Sequence, residues 1–175
     1  MKISTPRLWL RPAGMDLVDS TFRYASDPEN ARMMVYLPYA SLEETRQALA
    51  EAVAQWQSPQ PAYYEFGVFK GDEHIGTLTL YVLEEKDALE LAWIIARDHW
   101  GQGYAAEAAR CLMAFARKKW GVSRFIALCD SENIPSRRTM EKLGMTYVKS
   151  IPGRKNRSSP QEERLELLYE IKLDG

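Results

Sequence analysis

The chain has 175 residues but only two cysteines and two histidines. Cys111 and Cys129 are too few for a disulfide framework or a four-thiolate zinc site. His74 and His99 are the only imidazoles. We therefore expect no metal centre, and any acid–base chemistry has to rest on carboxylates, hydroxyl groups or the substrate itself.

The charge balance and the apolar runs exclude further classes of protein. The sequence carries 23 lysine and arginine residues against 24 aspartate and glutamate residues, a formal net charge of −1, which does not predict an extended basic surface for nucleic acid. No apolar run approaches the roughly 20 residues that span a bilayer, and residues 1–7 lack the apolar core of a signal peptide. We expect one domain over residues 1–175, in the cytoplasm, with neither a nucleic-acid nor a membrane partner.

Hydrophobic periodicity divides the chain into two halves. The first half predicts strands at 7–12, 64–70, 75–83 and 88–95, with helices over 16–25 and from Ser41 onward. The second half predicts helices over 105–120 and 133–143, strands at 124–129, 146–150 and 165–173, and a polar loop over 153–163. Antiparallel neighbours followed by alternating strands and helices indicate an α/β (α+β) sheet protein with helices packed on the sheet.

The most informative segment is a glycine turn between a strand and a helix. The strand that contains Trp93, Ile94 and Ile95 leads into Gly101-Gln102-Gly103, and an alanine-rich helix follows at once. Amides at a helix start have no carbonyl partner within the helix, and the helix dipole is positive there. Such a turn favours a phosphate or pyrophosphate group. The alternative is a tight connection that binds nothing, because Gly-x-Gly is common in turns.

A dinucleotide site is a second interpretation of the same turn. The segment Gly101-x-Gly103-x-x-Ala106 fits the dinucleotide fingerprint, and Asp130 ends the next strand where a ribose-binding acid would lie. However, the glycines follow their strand only after several residues, and about 95 residues precede the motif. About 45 residues follow Asp130, too few for the remaining βαβ units. An NAD-dependent enzyme is therefore the least favoured hypothesis.

Four motifs together resemble the Gcn5-related N-acetyltransferase (GNAT) superfamily, in its ribosomal-protein N-terminal acetyltransferase branch. They are Thr5-Pro6-Arg7-Leu8-x-Leu10-Arg11-Pro12, Tyr36-Leu37-Pro38, Trp100-Gly101-Gln102-Gly103-Tyr104-Ala105-Ala106-Glu107-Ala108 and Asn133-x-x-Ser136-x-Arg138-x-x-Glu141-Lys142-Leu143-Gly144-Met145. The resemblance implies a central mixed, mostly antiparallel sheet of about seven strands, flanked by about four helices, with splayed central strands. Trp100 stands where the superfamily's pyrophosphate motif has glutamine or arginine.

The resemblance also implies a site for acetyl-CoA. Backbone amides from Gly101 to Ala106 would hold the pyrophosphate, the strand end at Trp93–Ile95 would pair with the pantetheine arm, and Asn133 would contact the cofactor as well as cap its helix. The implied cofactor residues are Trp93, Ile94, Ile95, Gly101, Gln102, Gly103, Tyr104, Ala105, Ala106 and Asn133.

Catalytic residues are less completely specified. A tyrosine–glutamate pair known from one branch member falls on Met140 and Leu128, so that pair is absent. Ser136 matches a serine that donates to the leaving sulfur in a sister branch, and ordinary hydrogen bonding at the helix start is its alternative role. Glu90 shares a strand face with Ala92 and Ile94 and is our candidate base; a solvent-facing carboxylate is the alternative. Glu65 and Tyr81 are weaker candidates on neighbouring strands.

The resulting hypothesis is an N-acetyltransferase that moves acetyl from acetyl-CoA directly to a primary amine in a ternary complex. The amine is a protein N-terminus or a small molecule, and residues 33–39 are candidates for its pocket. A non-catalytic acyl-CoA-binding module is the alternative. The basic segment over residues 153–157 would contact either the phosphate of CoA or an acidic acceptor. The alternative is a charged loop that is simply exposed to solvent. The resemblance leaves a homodimer open.

Overall fold

The computed structural model describes residues 1–174, and they form eight strands and four α-helices. The strands are β1 (Ile3–Ser4), β2 (Trp9–Pro12), β3 (Tyr63–Lys70), β4 (Glu73–Val82), β5 (Ala88–Ile95), β6 (Arg124–Asp130), β7 (Thr146–Arg154) and β8 (Arg164–Lys172). The helices are α1 (Val18–Ala25), α2 (Leu42–Gln57), α3 (Tyr104–Trp120) and α4 (Ile134–Lys142), with short 3₁₀ turns at Met15–Leu17 and Arg97–His99.

All eight strands form one sheet in the order β1-β2-β3-β4-β5-β6-β8-β7. Every neighbouring pair is antiparallel except β5 and β6, which run parallel. The two parallel strands are joined through α3, since a parallel connection needs a crossover. The mixed, mostly antiparallel α/β fold expected from the resemblance is therefore confirmed.

Alternation along the strands gives the sheet two covered faces. Leu89 and Leu91 of β5 belong to the main core, which includes Leu112 of α3 and Met140 of α4. The opposite face of β5 carries Ile94, which packs near Tyr24 of α1 and Leu37. Successive side chains of a strand point to opposite faces. One face of β5 therefore packs into the main core, and the other face packs against the residues around Ile94.

Local signals explain where the elements begin and end. Ser41 caps α2, because its side chain accepts a hydrogen bond from the Glu44 N–H at 3.1 Å. Gly121 ends α3 with φ +70°, a left-handed conformation that favours glycine. Gly71, with φ +57°, lies in the turn between β3 and β4.

The structure corrects two expectations from the sequence. It has eight strands instead of about seven, because Ile3–Ser4 pairs with β2 as an additional short strand. The predicted loop over 153–163 is too long at its start, because β7 continues to Arg154 and pairs there with Arg164. Gly153 lies within this strand at φ +90°, beside an irregularity in the register. The glycine that suggested a loop therefore marks a distortion of the strand.

The approach of β4 to β5 requires a glycine at position 76. A Cβ atom on Gly76 would lie 2.3 Å from the Ile94 carbonyl oxygen, a backbone atom that has no freedom to move aside. We expect Gly76→Ala to lower the free energy of unfolding by about 2–4 kcal/mol. Gly71→Ala is the control, since nothing lies within 4 Å of its Cβ position and only the positive φ is strained; it should cost about 1 kcal/mol. Equal losses in urea unfolding would contradict this reasoning.

Candidate active site

The parallel strands β5 and β6 separate before they end. Their paired residues run from Ala88 with Arg124 to Leu91 with Ala127, yet β5 continues to Ile95 and β6 to Asp130. β5 stays paired with β4 up to Ile95, and β6 stays paired with β8 up to Asp130. The last residues of the two strands therefore enclose a gap.

The β5 backbone presents polar groups to this gap. The Ala96 N–H donates to the Ile75 carbonyl oxygen on β4 at 2.7 Å. Because bonding alternates along an antiparallel strand, the N–H and C=O groups of Trp93 and Ile95 face away from β4, towards β6. The indole N–H of Trp100 donates to the Ile95 carbonyl oxygen at 2.8 Å, so this one acceptor is already engaged. Trp93 faces the gap with both its donor and its acceptor.

The glycine turn leads from β5 to the start of α3. Gly101 and Gly103 both have positive φ angles, +74° and +76°, and no side chain caps the helix. The Glu107 N–H donates to the Gly103 carbonyl oxygen at 3.1 Å, so the amides of residues 104–106 point out of the helix end. The side chains of Tyr104 and Ala106 are buried. Only backbone groups of these two residues can contact a ligand.

An arginine side chain stands beside this turn. The nearer Arg7 guanidinium nitrogen lies 3.8 Å from the Cβ position of Gly103, and the guanidinium carbon lies 4.7 Å from the Tyr104 ring centroid. The Arg7 side chain also forms a 2.6 Å ion pair with Glu107. The sequence gives Arg7 no role at the site, since the contact joins positions about one hundred residues apart.

At the end of β6 the chain turns into α4. The Asn133 side-chain oxygen accepts a hydrogen bond from the Ser136 N–H at 3.2 Å, which confirms its expected local role as helix cap. Ser136 lines the cavity described below. Met140 is fully buried in the core, and Leu128 lines the cavity, so neither position of the absent tyrosine–glutamate pair carries a polar group.

A buried carboxylate fixes the end of β6. Asp130 is fully buried and accepts hydrogen bonds from Arg164 at 2.9 and 3.1 Å and from the Asn156 amide at 2.6 Å. Burial alone would raise the pKa of Asp130, but these donors, together with the Glu132 N–H, lower it. Asp130 therefore stays ionised and ties β6 to β8 and to the segment after β7.

A cavity of about 520 Å³ opens from the gap onto the sheet face that carries Ile94. Its floor includes Glu65 of β3, Thr79 of β4, and Glu90 and Ala92 of β5, which share this face through the strand register. Burial raises the pKa of Glu90; the charge of Glu166 adds to this rise and Arg154 opposes it. Burial also raises the pKa of Glu65, to about 7.

Residues 33–37 and 39 also line this cavity. Two arginines, one at the end of β7 and one just after it, form hydrogen bonds with this segment. An Arg154 guanidinium N–H donates to the Met33 carbonyl oxygen at 2.8 Å, and the Arg157 backbone N–H donates to that of Met34 at 3.0 Å. The Arg157 side chain also pairs with Glu44 at 2.5 Å.

The structure divides the predicted site residues into two groups. Glu90, Trp93, Ile94, Asn133 and Ser136 line the cavity, together with the weaker candidates Glu65 and Tyr81. Ile95 is buried at the end of β5, and Gly101, Gln102, Gly103, Tyr104, Ala105 and Ala106 form the turn beyond it, outside the cavity lining.

The two cysteines differ in burial, and neither has a raised tendency to ionise. Cys129 belongs to the core, as predicted, and burial raises its pKa to about 11. Cys111 is half-buried against the same core, and burial raises its pKa as well. Within residues 1–174 there is no group of three or more histidine, cysteine, aspartate or glutamate side chains arranged to hold a metal ion. No helix in the same range is long and apolar enough to cross a membrane.

Solved structures share this architecture. A RimL ribosomal L7/L12 α-N-protein acetyltransferase in complex with coenzyme A superposes with a TM-score of 0.87 over 99% of both chains, at 18% identity. The microcin C7 self-immunity acetyltransferase MccE, in complex with acetyl-CoA and AMP, gives a TM-score of 0.84 over 97% of this chain and 94% of its own, at 10% identity. The dinucleotide interpretation fails, because a mostly antiparallel sheet with one parallel pair is not a doubly wound fold.

Sequence relatives agree with the fold. The uncharacterized N-acetyltransferase YnaD of Bacillus subtilis is 31% identical over 158 residues, which cover 87% of this chain and 89% of the relative. The uncharacterized N-acetyltransferase p20 of Bacillus licheniformis is 27% identical and covers 79% of each chain. The family model for the acetyltransferase (GNAT) domain matches residues 7–146. The chain therefore belongs to the GNAT family of acetyltransferases.

Proposed function

We propose that the protein binds acetyl-CoA along the gap between β5 and β6 and transfers the acetyl group directly to a primary amine in a ternary complex. One observation carries the proposal. The strand gap, with the outward-facing backbone of Trp93, opens into a cavity whose floor holds the carboxylate Glu90. A thioester in the gap and an amine in the cavity would meet there.

The residues present fit the cofactor. The uncapped start of α3 offers amides to an anion, the open space at the Cβ position of Gly101 lets a phosphate approach the backbone, and the guanidinium group of Arg7, paired with Glu107, stands beside the turn. The backbone of Trp93 offers an extended chain the hydrogen bonds that β6 no longer makes. The Asn133 side-chain oxygen caps α4, which leaves its amide N–H groups for the cofactor.

Acetyl-CoA supplies a thioester, whose carbon is the electrophile. The acceptor enters as an ammonium ion and loses a proton to Glu90, directly or through a water molecule. The resulting amine forms the N–C bond, the C–S bond breaks, and Ser136 donates the proton that converts the leaving thiolate to a thiol. The nitrogen gives up its second proton as the amide forms, and a water molecule carries that proton back to Ser136. A backbone N–H in the gap polarises the carbonyl group. The products are an amide and the free thiol of coenzyme A.

Titration calorimetry with acetyl-CoA and, separately, with NAD tests the binding step. We expect heat of binding with acetyl-CoA alone, and amine-dependent release of thiol in the presence of an acceptor. Acetyl-CoA binding without thiol release across a broad amine panel would favour the alternative, a non-catalytic acyl-CoA-binding module. No acetyl-CoA binding would overturn the proposal.

The glycine turn provides a prediction with a matched control. Gly101→Ala places a methyl group in the open space outside the turn, where nothing lies within 4 Å, and should weaken acetyl-CoA binding about tenfold or more. Gly121→Ala introduces the same type of backbone strain at the other end of α3, at φ +70° and also with open space around its Cβ position. Each substitution should cost about 1 kcal/mol of stability. Only Gly101→Ala should change the dissociation constant; equal constants for both variants would refute the phosphate assignment.

Glu90→Gln tests the base. Loss of a general base lowers kcat by about 10²–10⁴-fold, while acetyl-CoA affinity should persist. Because a base acts in its ionised form and the pKa of Glu90 is raised, kcat/KM of the unmodified enzyme should fall as the pH drops through this raised value. The Glu90→Gln variant should not show this fall of kcat/KM at low pH. Glu84→Gln, at an exposed position between β4 and β5, is the control. Unchanged turnover and an unchanged pH profile for Glu90→Gln would remove Glu90 from the mechanism.

The proposal extends to the setting of the protein. The balanced charge and the lack of an apolar span support a cytoplasmic protein without nucleic-acid or membrane partners. The ribosomal-protein acetyltransferases among the structural neighbours make a protein N-terminus one candidate acceptor. A homodimer is proposed only on the family resemblance. A single domain over residues 1–175 also remains an expectation.

A further inference from the structure

The acceptor side of the cavity carries an excess of negative charge. Five charged side chains line it: Glu65, Glu90, Glu166, Arg154 and Lys155. Arg154 forms an ion pair with Glu166 and lies at the β7–β8 end of the sheet. Lys155 is exposed and follows Arg154. Within residues 1–174, neither Glu65 nor Glu90 forms a salt bridge; Arg154 acts on Glu90 only from beyond ion-pair distance, and no protein cation acts on Glu65.

The two unpaired carboxylates are well separated along the same sheet face. Glu65 pairs with Thr79, and Thr79 pairs with Ala92, which lies two residues beyond Glu90. Two strand spacings and two residues of rise put the Cα atoms of Glu65 and Glu90 about 12 Å apart. The floor between them is formed by the small side chains of Thr79 and Ala92. An elongated acceptor with a cation at each end matches this separation of the two strand positions.

Aromatic rings surround the carboxylate that lies farther from the gap. Tyr24, Tyr39 and Tyr81 line the cavity with Glu65, and Tyr63 lies two residues from it on the same strand face, with its ring centroid 5.7 Å from that of Tyr81. Burial, with a contribution from the charge of Glu65, raises the pKa of all four phenols, so they remain neutral. Neutral aromatic faces around a carboxylate are a favourable environment for an organic cation.

We infer that the acceptor is a primary amine that carries a second positive charge, and that Glu65 with its surrounding tyrosines binds this second, non-reacting cation. Glu90, at the closed end of the strand gap, faces the nitrogen that is acetylated. This inference rests on the proposed acetyl transfer and adds the class of acceptor: an elongated dicationic amine.

A pair of acceptors of equal length separates the second charge from size. The probes are a linear diaminoalkane of about six carbons, chosen to span the carboxylate spacing, and the aminoalkanol in which a hydroxyl group replaces one ammonium group. Thiol release and the mass of the acetylated product are measured for each. A charge-assisted contact predicts kcat/KM about 10–100-fold higher for the diaminoalkane. Equal values for the two probes, or acetylation of neither while another amine is acetylated, would overturn the inference.

Glu65→Gln tests the assigned residue. The ratio of kcat/KM between diaminoalkane and aminoalkanol should fall towards one, mainly through a higher KM for the diaminoalkane, while Glu84→Gln keeps the ratio of the unmodified enzyme. A ratio that persists in a folded Glu65→Gln variant would overturn the assignment. Should this variant fail to fold, Tyr39→Leu, outside the sheet, supplies a second test: loss of one aromatic face should reduce the ratio about two- to fivefold, and an unchanged ratio would contradict the aromatic site.

The failure of this inference is distinguishable from failure of the proposed function. If the unmodified protein binds acetyl-CoA and acetylates monocationic amines as well as dicationic ones, acetyl transfer stands and the acceptor class is wrong. If it does not bind acetyl-CoA in the calorimeter, the proposed function itself fails, whatever the amine.

Discussion

The site depends on two neighbouring strands that stop pairing with each other while each remains paired on its other side. β4 holds β5 as far as Ile95, and β8 holds β6 as far as Asp130. Closing the gap would require β5 to lose hydrogen bonds to β4, or β6 to lose hydrogen bonds to β8. The unpaired backbone groups of Trp93 therefore remain directed into the gap. An unpaired backbone group is costly when it is buried away from water. The fold leaves these groups unpaired at a gap where an extended ligand can supply the missing hydrogen bonds.

Electrostatics keeps the gap in shape from the β6 side. Asp130 is completely buried, yet Arg164 and Asn156 provide enough donors for it to stay ionised. Its partners come from β8 and from the segment after β7, so a single carboxylate joins three parts of the chain. The cavity floor has the opposite character. Glu65 and Glu90 are partly buried without such donors, and burial therefore raises the pKa of each carboxyl group. Asp130 thus serves the architecture, whereas Glu65 and Glu90 form no ion pair within residues 1–174.

Most elements of the fold, and the turn, can be predicted from the sequence because their signals are local. The hairpin around Gly71, the cap at Ser41 and the glycine turn before α3 each depend on a few adjacent residues. The strand gap was expected only from the resemblance, since no residue type marks where a parallel pair stops. β1 has only two residues, too few for a periodic pattern, and the extension of β7 to Arg154 depends on its pairing with β8. The contacts of Arg7 with Glu107 and of Arg154 with the Met33 carbonyl oxygen join distant positions. Propensity carries no information about such pairs.

The segment over residues 33–39, which lines the cavity, is held in place through its main chain. Arg154 and Arg157 bind the carbonyl oxygens of Met33, Met34 and Tyr36, and none of these contacts depends on the side chains at those three positions. Exchanging those side chains would change the lining of the cavity but leave the anchoring bonds in place. The shape and polarity of the cavity can therefore change at these positions while the sheet, the strand gap and the glycine turn stay as they are.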